Sequence, residues 1–174
     1  MASDLFDRQM AMYTSFHRDG RNRLTHFFGI PAIILAVLVA LATVPLGSIG
    51  GWPATLADFV ALLVWLLWIA LDFGLGLAMA TVVIPGLIIG HAVAGGSDWV
   101  TWTIAGALFI GGCVLQLVGH AYEGKRPAFL SNLFQLLIGP MFLMAETAFA
   151  LGPRTGLKHR VEAAADAYFS RAGR

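Results

Sequence analysis

Hydrophobic and polar positions along the chain follow two patterns. In residues 3–17, Leu5, Phe6, Met10, Met12, Tyr13 and Phe16 are interleaved with polar residues. That spacing predicts a short amphipathic helix at a membrane surface. Asp19-Gly20 breaks it. Apolar segments follow at about 27–44, 54–71, 74–93, 99–119 and 128–151, and a bilayer crossing needs about 17 to 25 such residues. The Gly-rich stretch Pro45 to Pro53 predicts a loop, Asp72 a tight turn, and "AGGSD" (94–98) another turn. "YEGKRP" (122–127) is the most charged connection between apolar segments, and the tail from Pro153 predicts a polar-to-amphipathic helix with a frayed end. No internal repeat or second domain is visible. The expectation is a single membrane domain over 1–174, with an interfacial helix (3–17), a membrane core (27–151) and a cytoplasmic tail helix (154–174).

Charge then orients the segments. Arg8, Arg18, Arg21 and Arg23 precede the first of them, so the positive-inside rule places the N-terminus in the cytoplasm. Two crossings each way return the chain there at Lys125 and Arg126. The fifth segment carries Gly139-Pro140 at its centre, and proline removes a helical hydrogen bond and bends or breaks the helix. Irregular backbone at membrane depth is tolerated where protein buries it or it lines a cavity. The predicted fold is therefore an all-α, polytopic membrane helix bundle of four spans with a broken re-entrant fifth segment. A kinked fifth span is the rival. Amphipathic helices close both ends, and both termini are cytoplasmic.

Composition agrees and narrows the class. Of 174 residues, 58% are hydrophobic and 12% charged, against about 25% charged in ordinary soluble domains. A net charge of +1 does not suggest a nucleic-acid partner. The one cysteine, Cys113, lies in an apolar run, so no disulfide framework is expected. The first 25 residues are too polar to supply the apolar core of a cleavable signal peptide.

Candidate chemistry concentrates at the predicted cytoplasmic edge. His17, His26 and His120 gather there, while His91 falls on the opposite side and His159 in the solvated tail. Asn22 and His26 are four residues apart and share a helical face. Gln116, His120 and Glu123 form one polar stripe along an otherwise apolar helix. Neutral imidazole is a common ligand for iron, zinc or copper. Asn22, Gln116 or Glu123 suits a partner that fixes a ligand's tautomer. A lone interfacial histidine is usually structural; three on one face point to a metal site. The last apolar segment adds Asn132, Gln135 and Glu146, and an intramembrane carboxylate usually faces the bundle interior. Glu146 is thus a functional candidate, with a helix-packing hydrogen bond as the alternative. Arg23 and Arg126 are topology signals that could also grip a substrate carboxylate through the guanidinium fork.

Two motif blocks carry a family resemblance: H-x4-N-R-x2-H-x2-G-x-P (His17, Asn22, Arg23, His26, Gly29, Pro31) and Q-x2-G-H-x2-E-x-x-R-P-A (Gln116, Gly119, His120, Glu123, Arg126, Pro127, Ala128), followed by Asn132, Gln135, Pro140 and Glu146. Over roughly residues 8–150 the chain resembles the Mpo-like family of membrane proteins. Its characterised eukaryotic members are Fe(II)-dependent 2-hydroxy fatty acid dioxygenases of α-oxidation. The resemblance implies that O2 and a 2-hydroxy long-chain fatty acid give a product one carbon shorter. It also implies that His17, His26 and His120 hold Fe(II), with Glu123 a ligand or its neighbour. His91 is the one spare histidine of the membrane domain. The implied setting is a multi-pass protein among membrane lipids, in the bacterial inner membrane or the eukaryotic endoplasmic reticulum, with the site facing the cytoplasm.

Two rivals stay open. A zinc-dependent membrane hydrolase would use the same histidines without oxygen. A non-enzymatic scaffold or transporter would use the polar cluster for packing alone. Di-iron hydroxylases and desaturases carry HxxxH and HxxHH boxes, which this sequence lacks.

Overall fold

The computed structural model describes residues 2–124, 132–152 and 155–172. It is helical, with helices α1 (Ala2–Phe16), α2 (Gly20–Ala42), α3 (Leu56–Leu71), α4 (Phe73–Ala78), α5 (Ala80–Ala94), α6 (Asp98–Glu123), α7 (Gln135–Ala150) and α8 (Thr155–Ala172). Among the described residues, three stretches are long and apolar enough to cross a membrane: Gly20–Ala42, Phe73–Ala94 and Asp98–Glu123. α3 and α7 are apolar but shorter. Leu24, Phe28, Leu62, Leu66, Ile88 and Ile110 point outward and are exposed, an apolar exterior that suits lipid better than water.

The first long helix begins at Gly20 rather than near residue 27, so Asn22, Arg23 and His26 ride on the helix that carries the apolar run. Asp19 starts it: its side chain accepts from the Arg21 N–H at 2.8 Å, a favourable N-cap. The paired Arg21 side chain holds the Asp19 carboxyl down at about 2. α2 packs along α6 more extensively than any other pair of elements. Lipid tails are as apolar as the helices, so association in a membrane rests on close packing at small residues. Gly29, Gly112 and Gly119 supply it. A Cβ on Gly112 would fall 2.8 Å from the Gly29 carbonyl, and one on Gly119 would collide with Thr25 and Asn22.

Two expectations need correction. Pro45 to Pro53 is not all loop: Pro45–Ile49 (β1) and Trp52–Thr55 (β2) form a small antiparallel hairpin with Ile49 opposite Trp52. Gly50 and Gly51 both have positive φ, 58° and 83°, the backbone a two-residue hairpin turn demands. Nor does Gly139-Pro140 split the fifth segment, because α7 runs through it. Pro140 stands only in the second turn of a helix that begins at Gln135, so it removes a single bond, to the Leu136 carbonyl. Next to it, the Leu137 carbonyl accepts the Trp68 indole N–H at 2.8 Å.

Asp72 and the "AGGSD" turn fall where the sequence puts them, between α3 and α4 and between α5 and α6. Asp72 caps α4 by accepting from the Leu75 N–H. At the chain's ends, α1 and α8 lie against each other. Phe6, Met10 and Tyr13 of α1 join Leu157 and Val161 of α8 in the buried core, with Ile138 and Phe142 of α7. Phe6, Met10 and Tyr13 of α1 are therefore covered by protein, while Leu5 stays exposed.

Candidate metal centre

Three elements bring the histidines together. His17 follows the last turn of α1, and its Nδ1 lies 2.7 Å from the Tyr13 carbonyl four residues back. His26 sits in the second turn of α2 and repeats the arrangement, with Nδ1 2.9 Å from the Asn22 carbonyl. A carbonyl only accepts, so both Nδ1 atoms carry a proton, and in the neutral rings both Nε2 atoms present lone pairs. Those two Nε2 atoms face each other at 3.1 Å. His120, in the last turn of α6, completes the group, and one ligand atom from each ring lies within 4.8 Å of the others. All three are buried.

The junction between α1 and α2 is held by Glu123. Its carboxylate accepts from the backbone N–H of Arg18 at 3.1 Å and of Asp19 at 2.8 Å. It also accepts from the Asn22 amide at 3.2 Å. These donors cluster at the start of α2, where a negative charge is favoured by the helix dipole. Glu123 thereby fastens the elbow carrying His17 to the end of the helix carrying His120. Gly124 then stops α6 in a left-handed C-cap, φ 67°.

Tyr13 stacks on the His17 ring, centroids 4.0 Å apart and planes 6° from parallel. Phe142 packs against Tyr13. Burial pushes the Tyr13 phenol up, so it stays neutral.

The cluster forms the polar end of a cavity of about 780 Å³. Gln116 and Gln135 add amides to its wall, and the rest is apolar: Ile30, Val37 and Leu41 of α2, Val64 of α3, Phe109 of α6 and others. On α2 alone the lining runs from His26 to Leu41, about 22 Å at 1.5 Å per residue.

The His17–His26 pair has the spacing of two ligands on one ion, and His120 lies close enough to reach it with a small movement of its ring. Two nitrogens about 2.1 Å from one ion can lie up to about 4 Å apart, and 3.1 Å falls inside that limit. A facing pair of lone pairs is unfavourable without a cation between them. The second nitrogen of a metal-bound histidine usually donates to a carbonyl or carboxylate, as His17 and His26 do. His120 Nδ1 is buried with no hydrogen-bond partner among the described residues.

The remaining described candidates have partners outside the histidine cluster. His91 pairs with Asp58 at 2.9 Å, an aspartate that also caps α3 through Thr55. Arg23 pairs with Glu146 at 3.0 Å. Asn132 and Gln135 both donate to the Gln9 side-chain oxygen, tying the start of α7 to α1. Arg126 lies outside the described residues. Sequence reasoning missed Gln9 as an anchor and Tyr13 as a wall of the site. The signal was there: Gln9, Tyr13 and His17 are spaced by four and so share one face of α1.

Compared with models of known families, residues 3–151 match the one described as Mpo1-like, "2-hydroxy-palmitic acid dioxygenase Mpo1-like". No curated protein and no solved structure matches the chain.

Proposed function

Since the chain belongs to the Mpo1-like family, we propose that it is an Fe(II)-dependent dioxygenase that converts 2-hydroxy fatty acids, with O2, to products one carbon shorter. The observation that carries this reading is the three-histidine cluster at the polar end of a long apolar cavity. Bound by His17, His26 and His120, Fe(II) would supply open coordination positions for O2 and for the hydroxyl and carboxylate of a 2-hydroxy acid.

The chain's own residues do the rest. Three neutral imidazoles leave a divalent charge uncompensated, which favours an anionic head. Glu123, whose oxygens accept from the elbow N–H groups, offsets part of that charge from outside the ligand set. Tyr13 and Phe142 wall off the histidines, and the aliphatic lining receives the acyl chain and excludes water.

The contacts also favour a topology. Asp58 at the start of α3 meets His91 at the end of α5, so both lie at the hairpin edge where α2 ends. α2, α3, the α4–α5 pair and α6 then cross alternately, four times in all. α7 is fastened to the other edge at both ends, by Gln9 and Trp68 near its start and by Arg23 towards its end. It lies across the cluster and does not cross. The N-terminal arginines put that edge in the cytoplasm.

The test is anaerobic purification in detergent, metal analysis, then 2-hydroxyhexadecanoic acid with and without O2. Near-stoichiometric iron and O2-dependent formation of a fifteen-carbon product are expected. Bound zinc with activity in the absence of O2 would replace the reading with a hydrolase; no metal after Fe(II) is supplied would replace it with a carrier or scaffold.

A further inference from the structure

We propose that the cavity is open along one flank, between α3 and α6, and that acyl ligands enter and leave it sideways through this slot from the hydrocarbon core of a bilayer. The proposal rests on the reading that the cavity takes a fatty acid inside a membrane, and adds the route. α2 forms the floor, Val37 included. Val60 and Val64 of α3 stand on one side, and Phe109 and Leu117 of α6 on the other. Both helices pack on α2, but among the described residues they make no extensive contact with each other. Leu117 marks the edge of the slot. It lines the cavity, yet it is 63% exposed. Ile110, Val114 and Leu117 are spaced by four and three, so they share one face of α6. All three are exposed, and the first two belong to the outer surface rather than to the cavity. The cavity wall thus turns directly into the exterior. On α3 the same change takes one residue: Phe59 and Leu63 are exposed, and Val60 and Val64 beside them line the cavity. Even Val37, on the floor, is 42% exposed.

Among the described residues, the polar end offers no such path. His17, His26 and His120 are buried. Tyr13 stacks on His17 with Phe142 against it, and Gln9 ties the start of α7 across to α1. A tail arriving from water at that end would have to pass three buried imidazoles and expose its methylenes on the way, which is unfavourable. Through the slot the tail never leaves an apolar medium. Lipid is as apolar as the lining, so the sideways transfer costs little. The cavity also runs along α2, one of the helices long enough to cross the membrane. A tail lying in it is therefore aligned with the tails of neighbouring lipids, and entry needs translation without reorientation.

Binding kinetics separate this route from turnover. Protein in lipid nanodiscs would be mixed rapidly with cis-parinaric acid, an intrinsically fluorescent fatty acid, then chased with 2-hydroxyhexadecanoic acid. Energy transfer from tryptophan reads both rates, since Trp68 lines the cavity. In wild type the association rate should follow the acid's mole fraction in the bilayer; a rate set by its aqueous concentration overturns the proposal. Leu117→Trp and Val64→Trp narrow the slot from opposite sides, and Ile110→Trp adds the same bulk to the outer face alone. Each slot variant is expected to slow association and dissociation alike by about tenfold, the rate equivalent of a modest steric barrier. Affinity should then stay within about twofold of wild type, because a barrier to entry is equally a barrier to exit. Ile110→Trp should keep wild-type rates. Unchanged rates in both slot variants overturn the proposal. So does faster dissociation at an unchanged association rate, the mark of lost cavity volume, equal slowing in Ile110→Trp, or a wild type that does not bind the acid. A wild type without iron or turnover whose binding rates still depend on Leu117 and Val64 would end the dioxygenase reading and leave the slot standing.

Discussion

The Nε2 atoms of His17 and His26 stand 3.1 Å apart, and each ring gives its Nδ1 proton to a carbonyl four residues earlier in the chain. In the neutral rings two lone pairs are thus held face to face. The pair is stable with a cation between them, and His120 closes the third side. His17→Ala, His26→Ala and His120→Ala should each lose most of the bound iron while keeping wild-type helicity in detergent. Full iron in any one of them would remove that residue from the ligand set.

Glu123 should act on the metal without touching it. It holds the elbow through two backbone N–H groups and the Asn22 amide. Outer groups that orient ligands typically contribute 10- to 100-fold in metal affinity. Glu123→Ala should weaken iron binding in chelator competition by roughly that factor. Glu123→Gln, which keeps one acceptor, should fall between it and wild type. Wild-type affinity in the alanine variant would show that the elbow holds itself.

Glycines of α6 offer an internal control for packing. A Cβ at Gly119 meets Thr25, Asn22 and His26 on the facing helix, whereas Gly106 and Gly111 have nothing within 4 Å. Gly119→Ala should destabilise the protein by about 1–3 kcal/mol, the usual cost of overpacking, and disturb the iron site as well. Gly106→Ala and Gly111→Ala should be neutral or stabilising by up to about 1 kcal/mol. Thermal melts in one detergent rank the three, and equal melting temperatures would mean that α2 and α6 do not approach so closely.

Arg23 and Glu146 form an ion pair whose side chains are 43% and 31% exposed. Pairs this wet are worth about 0–1 kcal/mol. A double-mutant cycle with Arg23→Ala and Glu146→Ala should give a coupling in that range. KM for a 2-hydroxy acid should move by no more than about twofold. A tenfold rise in KM with Arg23→Ala alone would hand the carboxylate to the arginine.

Much of this site is legible in one dimension, for reasons that particular residues make plain. Gln116, His120 and Glu123 are spaced for one helical face, so their shared stripe follows from the periodicity of α6. The Asp19-Gly20 break lets His17 turn towards His26. What spacing could not reveal is who pairs with whom across the bundle. Arg23 reads as a topology signal that could also grip a carboxylate, and nothing in its spacing points to Glu146, 123 residues later, which stands beside it. Glu123 reads as a ligand or a ligand's neighbour, and the sequence alone does not show that the elbow N–H groups engage both its oxygens. The hairpin was missed although Gly50-Gly51 is a recognised two-residue turn signal. Short strands beside long apolar helices are easily taken for loop. Gly139-Pro140 was over-read, since a proline's effect depends on where the helix starts and that lies in the pairing of Gln135 with Gln9.

The Glu123 bond also sets an order of events. The carboxylate and the Asp19 N–H it accepts from are 104 residues apart, and His120 lies almost as far from the other two histidines. As the chain is synthesised, the elbow emerges first, with its N–H groups unmatched and only part of a ligand set. The helices between must be placed before α6 can bring the last imidazole and the clasp together. On the proposed function, metal loading would therefore be a late step of biogenesis, and a chain stalled before residue 120 would hold only part of the ligand set.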